Sequence, residues 1–216
     1  MHLLRTRAAP VALALGTGLL LGLVSPGAEK LDNSFYIAIG AIFSAGWSWA
    51  CYGFLMGYFC RSKVESALLS SLGLTVGVVT YYIFKDMNPH IPQGVEPATV
   101  STGIRPDASE GTSSQILVWG TAALIFGIPV GLLGNLARIP GIRGLGFRLV
   151  VPFVAFYETS MRISVEADSQ APIVEMTWSL IRLTAGAVAL ALVSHTIWSW
   201  RNTRRTHTHS ESGVRT

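Results

Sequence analysis

Three ionisable residues, Glu158, Arg162 and Arg182, sit inside long apolar stretches of this chain. A charge in such surroundings is costly and marks a functional site by default. Arg162 follows Glu158 at i+4, the favourable order for an ion pair along a helix. Arg182 falls in the next apolar stretch at a similar depth, so a Glu158–Arg162–Arg182 cluster is expected. Two uses are open to it: a site for an ion, proton or polar solute, or a neutralised cluster that fixes packing. One carboxylate facing two guanidiniums is held charged, which favours the packing role over proton transfer.

Other chemistry is sparse. The chain has no H-E-x-x-H zinc site and no G-x-S-x-G nucleophile elbow. Glu158-Thr159-Ser160-Met161-Arg162 resembles half of the E-E-x-x-x-R motif of the CAAX-protease and bacteriocin-processing membrane proteins. Tyr157 stands where that family has its second glutamate. Of the later histidines the family requires, His195 alone is near, toward the wrong end of its stretch, so a means of activating water is missing. His207 and His209 have no third ligand placed to complete a metal site, and no cofactor is expected. Cys51 and Cys60, on one helix, would lie about 13 Å apart along the axis and on opposite faces, too far to pair.

Half of the 216 residues are hydrophobic and 13% are charged, against roughly 25% charged in an average soluble domain. The apolar residues gather in runs of about 20, the length that crosses a bilayer core of about 30 Å. The expected fold is all-α, a polytopic transmembrane bundle with six spans near 8–24, 35–59, 64–84, 116–137, 145–165 and 176–198. Residues 85–115 form an extracytoplasmic flexible loop, and 199–216 a cytoplasmic basic tail. If the first span is a cleaved signal peptide, five remain.

Charge alternation supports the count of six. Arg5, Arg7, Arg61, Lys63, Arg138, Arg143, Arg148, Arg201, Arg204, Arg205 and Arg215 face one side. Lys30, Lys85, Arg105, Arg162 and Arg182 face the other. Positive charge resists translocation, so the richer side is cytoplasmic and holds both termini. The formal charge of +4 and pI of about 9.3 are explained by these flanking residues and not by nucleic-acid binding. Arg201, Arg204 and Arg205 are placed to meet anionic lipid.

Small residues suggest how the spans meet. Gly46, Ala50, Gly53 and Gly57 line one face of the second span, and Ser66, Ser70, Gly73 and Gly77 repeat that spacing in the third. One antiparallel register pairs Gly57 with Ser66, Gly53 with Ser70, Ala50 with Gly73 and Gly46 with Gly77. Close approach through small residues is the usual means of association in lipid, so this hairpin is expected to be the tightest contact. Trp119 and Trp178 fall where an outer interface belt would place them, Trp198 and Trp200 where an inner one would.

Asn33-Ser34-Phe35, the glycine-rich second span, Arg61, Tyr81-Tyr82, Trp119 with Gly127, Gly131 and Gly134, and Glu158 together resemble a family of small multi-pass membrane proteins of actinobacteria. The resemblance implies a bacterial cytoplasmic membrane and carries no activity with it. A non-catalytic membrane component is the leading expectation. A small-solute or ion carrier using Glu158 comes second, and an intramembrane hydrolase third.

Overall fold

The computed structural model describes residues 2–28, 30–31, 33–88, 108–166 and 172–212, with the side chains of 2–8, 108–110, 166 and 202–212 outside the description. Among the described residues the fold is all-helical, with no strand. The helices are α1 (His2–Ala28), α2 (Ser34–Ser44), α3 (Gly46–Phe59), α4 (Lys63–Met87), α5 (Ala108–Leu136), α6 (Ile142–Glu166) and α7 (Pro172–Ser212). Four of them contain segments long and apolar enough to cross a membrane: Ala9–Ala28, Lys63–Met87, Gly111–Leu136 and Pro172–Arg201. The pair α2 and α3 passes the same standard as a bent fifth unit. The count from length and composition is therefore four to five. α6 is long enough at 25 residues but carries Arg143, Arg148, Glu158, Arg162 and Glu166, which dilute its apolar character.

Several expected boundaries move. The second span is not one helix: it breaks at Ala45, where the axis turns by 62°. α1 continues through Pro26 to Ala28. α5 starts at Ala108, inside the segment read as a loop, and residues 89–107 of that loop lie outside the described part. α7 stays helical to Ser212, so most of the expected tail prolongs the helix, and 213–216 are outside the described residues.

α4 is the centre of the bundle. It packs most extensively on α5 and next on α1, not on α3, which corrects the expected tightest hairpin. Gly53 does meet Ser70, but Gly57 meets Gly131 of α5, and Gly73 and Gly77 lie between Ala14 and Gly18 of α1 on one side and Tyr52 and Trp49 of α3 on the other. The serines of α4 explain the preference, because their hydroxyls bond to carbonyls of α5: Ser66 Oγ donates to Gly131 O and Ser71 Oγ to Leu124 O. A Cβ at Gly127 or Gly131 would strike α4 backbone, so these two glycines are what let the serines reach. On the other flank, Gly18 and Gly22 of α1 lie against the carbonyls of Gly73 and Gly77, and Tyr52 Oη donates to Ala14 O.

α6 and α7 form a hairpin of their own. It joins the rest through contacts of α7 with α2 and of α6 with α3, and α6 meets α5 only sparsely. The turn between α5 and α6 uses Gly141 at φ 76°, a left-handed conformation that glycine adopts without a Cβ penalty. Arg148 fastens the same corner by donating to Ala137 O at 2.8 Å and Ile139 O at 3.0 Å. Nearby, Asn135 and Arg138 donate to Cys60 O at 2.9 and 2.7 Å, closing the carboxyl end of α3.

Candidate functional site

The break in the second apolar segment exposes helix ends that need partners. α2 begins under an Asn33 cap, whose side chain accepts from Phe35 N at 3.1 Å. It stops at Ser44, and Ala45 is extended at φ −77°, ψ 142°. Small side chains at 44–46 permit the turn, since the buried Ala45 packs against Val174 and Trp178 with no room for bulk. Trp49 Nε1 donates to Phe43 O at 2.9 Å, satisfying a carbonyl that α2 leaves open. Ser48 Oγ donates to Ala45 O at 2.7 Å.

The first amides of α3 find Glu158. Gly46 N donates to Glu158 Oε1 at 3.0 Å, and Trp47 N donates to Oε2 at 2.7 Å. Arg162 Nε donates to Oε1 at 3.1 Å. A carboxylate at a helix amino terminus is stabilised by the unpaired N–H groups and by the helix dipole. Glu158 thus reaches from α6 across to α3 and caps the broken helix. It is a tie between the α6–α7 hairpin and the main bundle.

Of the three residues expected to cluster, the structure brings Glu158 and Arg162 together and leaves Arg182 apart. Arg182 makes no hydrogen bond or ion pair with Glu158. The physical reason is Trp178, one turn before Arg182 on α7: Arg162 lies over its ring at 5.0 Å, so the face of α7 toward Glu158 is indole. Trp178 is 3% exposed and belongs to the core, not to an interface belt. Trp119 and Trp198 are exposed, as belt residues would be.

A cavity of about 570 Å³ opens beside this clamp. Glu158, Arg162, Ser44 and Gly46 form its polar end. Trp49, Tyr81, Tyr82, Trp119 and Phe126 give it aromatic walls, and Ala50, Leu74, Val78, Ala122, Ala123 and Val130 complete the lining. From Trp119 to Val130 along α5 it runs about 16 Å. Its size is that of a small-molecule site, and its make-up, mostly apolar with a few convergent polar groups, is what such sites show. The side chains of Glu158 and Arg162 remain 17% and 26% exposed despite their bonds. Phe126, in the wall, is 67% exposed, so the cavity has an open flank.

Sequence reasoning missed the helix break, the two amides on Glu158 and the cavity. The signal for the first two was present in Ser44-Ala45-Gly46 followed by two tryptophans. Among the described residues, no group of three or more His, Cys, Asp or Glu side chains gathers as a metal site would require. The side chains of Arg204, Arg205, His207 and His209 lie outside the described residues. Comparison of the chain with protein-family models, with curated proteins and with solved structures finds no match.

Proposed function

We propose that this chain is a membrane-embedded carrier that binds a small solute in the cavity beside Glu158. The observation that carries this reading is a broken helix whose new amino terminus is held by a carboxylate at the end of a solute-sized cavity. Irregular backbone within an apolar segment is tolerated where it is satisfied by protein or lines a cavity. Discontinuous helices at mid-depth are a recurrent way to build a carrier's binding site. A component with only structural duties has no need of that opening, so the cavity moves the balance away from the non-catalytic reading. The hydrolase reading is weaker still: the partners of Glu158 are two amides and a guanidinium, and no second catalytic group among the described residues bonds to it.

The reading includes six crossings in a bacterial cytoplasmic membrane, with α6 as the fifth and both termini inside. The packing of α1 through Gly18 and Gly22 supports its retention as a span. The large apolar side chains left exposed on α5 and α7, such as Leu117, Phe126, Leu183 and Leu190, support lipid as their solvent. α6 can cross because its charges are placed to advantage. Arg143 and Arg148 stand at its cytoplasmic end, and Glu158 and Arg162 neutralise each other against α3. Anionic lipid at Arg201, Arg204 and Arg205 belongs to the same proposal.

The test is a thermal-shift screen of carboxylates, amines, sugars and amphiphiles on purified wild type and Glu158→Gln, followed by proteoliposome uptake of any stabilising compound. The expected result is a compound that stabilises and is taken up by wild type and is lost to the variant. Equal uptake by both proteins would remove Glu158 from the mechanism, and stabilisation by no compound would remove the carrier.

A further inference from the structure

We infer that the occupant of this cavity is a neutral, hydroxyl-headed single-chain amphiphile that enters sideways from the bilayer. The inference rests on the carrier reading and names its substrate class.

The walls specify the chain. Five aromatic and six aliphatic side chains line the cavity, and its polar groups are few: Ser44, Glu158, Arg162 and the hydroxyls of Tyr81 and Tyr82. A volume of about 570 Å³ holds roughly 20 groups of water size at about 30 Å³ each, enough for a long hydrocarbon chain with its head. A sugar or amino acid would leave most of that wall against unbonded polar groups, a poor exchange for its hydration.

The polar end specifies the head. The Glu158 carboxylate is already paired with Arg162, so a cationic head gains less from it than from an unpaired carboxylate. An anionic head would set a second negative oxygen against Glu158 Oε2, whose neighbour Oε1 already holds Arg162. What remains is an acceptor. Each carboxylate oxygen can take about two hydrogen bonds. Oε1 already accepts from Gly46 N and Arg162 Nε, whereas Oε2 accepts from Trp47 N alone. Gly46 also lines the cavity, and a Cβ built on it would stand 3.2 Å from Oε2. Its missing side chain therefore leaves Oε2 open to a donor in the cavity. A hydroxyl supplies one proton to that oxygen and brings no charge.

The route follows from the packing. α6 meets α5 only sparsely, and Trp119 and Phe126 are exposed along that flank. A chain already in the leaflet can slide between α5 and α6 without leaving hydrocarbon, its head at the depth of Glu158.

The test uses the full chain in nanodiscs doped with a brominated long-chain alcohol, the matching acid or the matching amine. Quenching of Trp49, in a background where the exposed Trp119, Trp198 and Trp200 are phenylalanine, reads occupancy. The alcohol should bind roughly 10- to 100-fold better than acid or amine, the range of one hydrogen bond to a charged group. Gly46→Ala should erase that preference while all three chains still bind, because it shields Oε2 and leaves the walls intact. Ala123→Leu should weaken all three alike. Equal quenching by the three chains in wild type overturns the inference, as does a preference for the acid or the amine. No quenching by any chain, with Glu158-dependent uptake of a water-soluble compound, overturns the inference and leaves the carrier reading standing. Failure of both removes both.

Discussion

Replacing Glu158 by glutamine tests whether the carboxylate holds the broken helix. Glu158 accepts from two backbone amides, at 3.0 and 2.7 Å, and from Arg162 at 3.1 Å. A hydrogen bond to a charged group contributes about 1.5–3 kcal/mol. Glutamine keeps one carbonyl oxygen, so one amide retains a neutral partner worth about 1 kcal/mol. The second amide then faces an NH2 group, donor against donor. Arg162 meanwhile loses its bond to the carboxylate. Together these losses come to about 3–5 kcal/mol, the range for breaking a partly buried pair. At about 2–4 °C per kcal/mol for a chain of this length, the melting temperature in detergent should fall by roughly 6–20 °C. Arg162→Gln supplies the control, because it leaves both amides capped and should cost less than half as much. Fluorescence-detected unfolding of the two variants decides the matter. A Glu158→Gln protein within about 2 °C of wild type, or one more stable than Arg162→Gln, would refute the capping role.

Trp49→Phe keeps the aromatic wall but strips the proton from Phe43 O, and should cost about 1–3 kcal/mol in the same unfolding assay. Gly131→Ala should destabilise by about 1–3 kcal/mol because its Cβ meets Ser66 backbone and the Ser70 side chain, whereas Gly120→Ala, with open space at that position, should be neutral or gain up to about 1 kcal/mol. Burial first, and Glu65 second, push the Cys60 thiol up, with Arg138 opposing. In a Cys51→Ser background its alkylation should therefore be slow at neutral pH and accelerate only above the ordinary cysteine range; fast labelling at neutral pH would contradict the buried corner at Asn135 and Arg138. Reporter fusions near Arg105 and after Arg201 should fall on opposite sides of the membrane, and placement on one side would undo the six-span reading.

The helical class and most apolar segments were legible because the sequence pattern itself carries them: runs of about 20 apolar residues permit little else. The i+4 relation of Glu158 and Arg162 was legible for the same reason, since helix geometry sets it locally. What escaped is set between helices. Nothing in the spacing of Gly46, Ala50, Gly53 and Gly57 distinguishes a straight helix facing α4 from a broken one facing α5 and α6. The small-residue stripe of α4 serves α1, α3 and α5, and Ser66 and the neighbouring Ser71 bond to α5 carbonyls that no one-dimensional pattern reveals. Arg182 was placed in the cluster by depth, which ignores azimuth: Trp178 turns indole toward Arg162 and leaves Arg182 without a part in the site. The cavity, a space between helices, has no sequence signature of its own.

In the proposed carrier, Glu158 would join two roles that transport has to couple. It caps α3, so it governs the bend between α2 and α3. It also stands on α6, so it ties the α6–α7 hairpin to the bundle across the flank where the cavity opens. A donor arriving at Oε2 draws electron density from the oxygen that holds Trp47 N and weakens that bond, which lies at the hinge. In the proposed carrier the cap and the lateral opening would share one carboxylate, and a bound hydroxyl would be felt at the bend without any relay through intervening residues. A serine or asparagine cap would satisfy the amides but would hold no arginine and reach no second helix. That difference is the physical reason to find a charged residue here, where an uncharged cap would otherwise cost less in lipid.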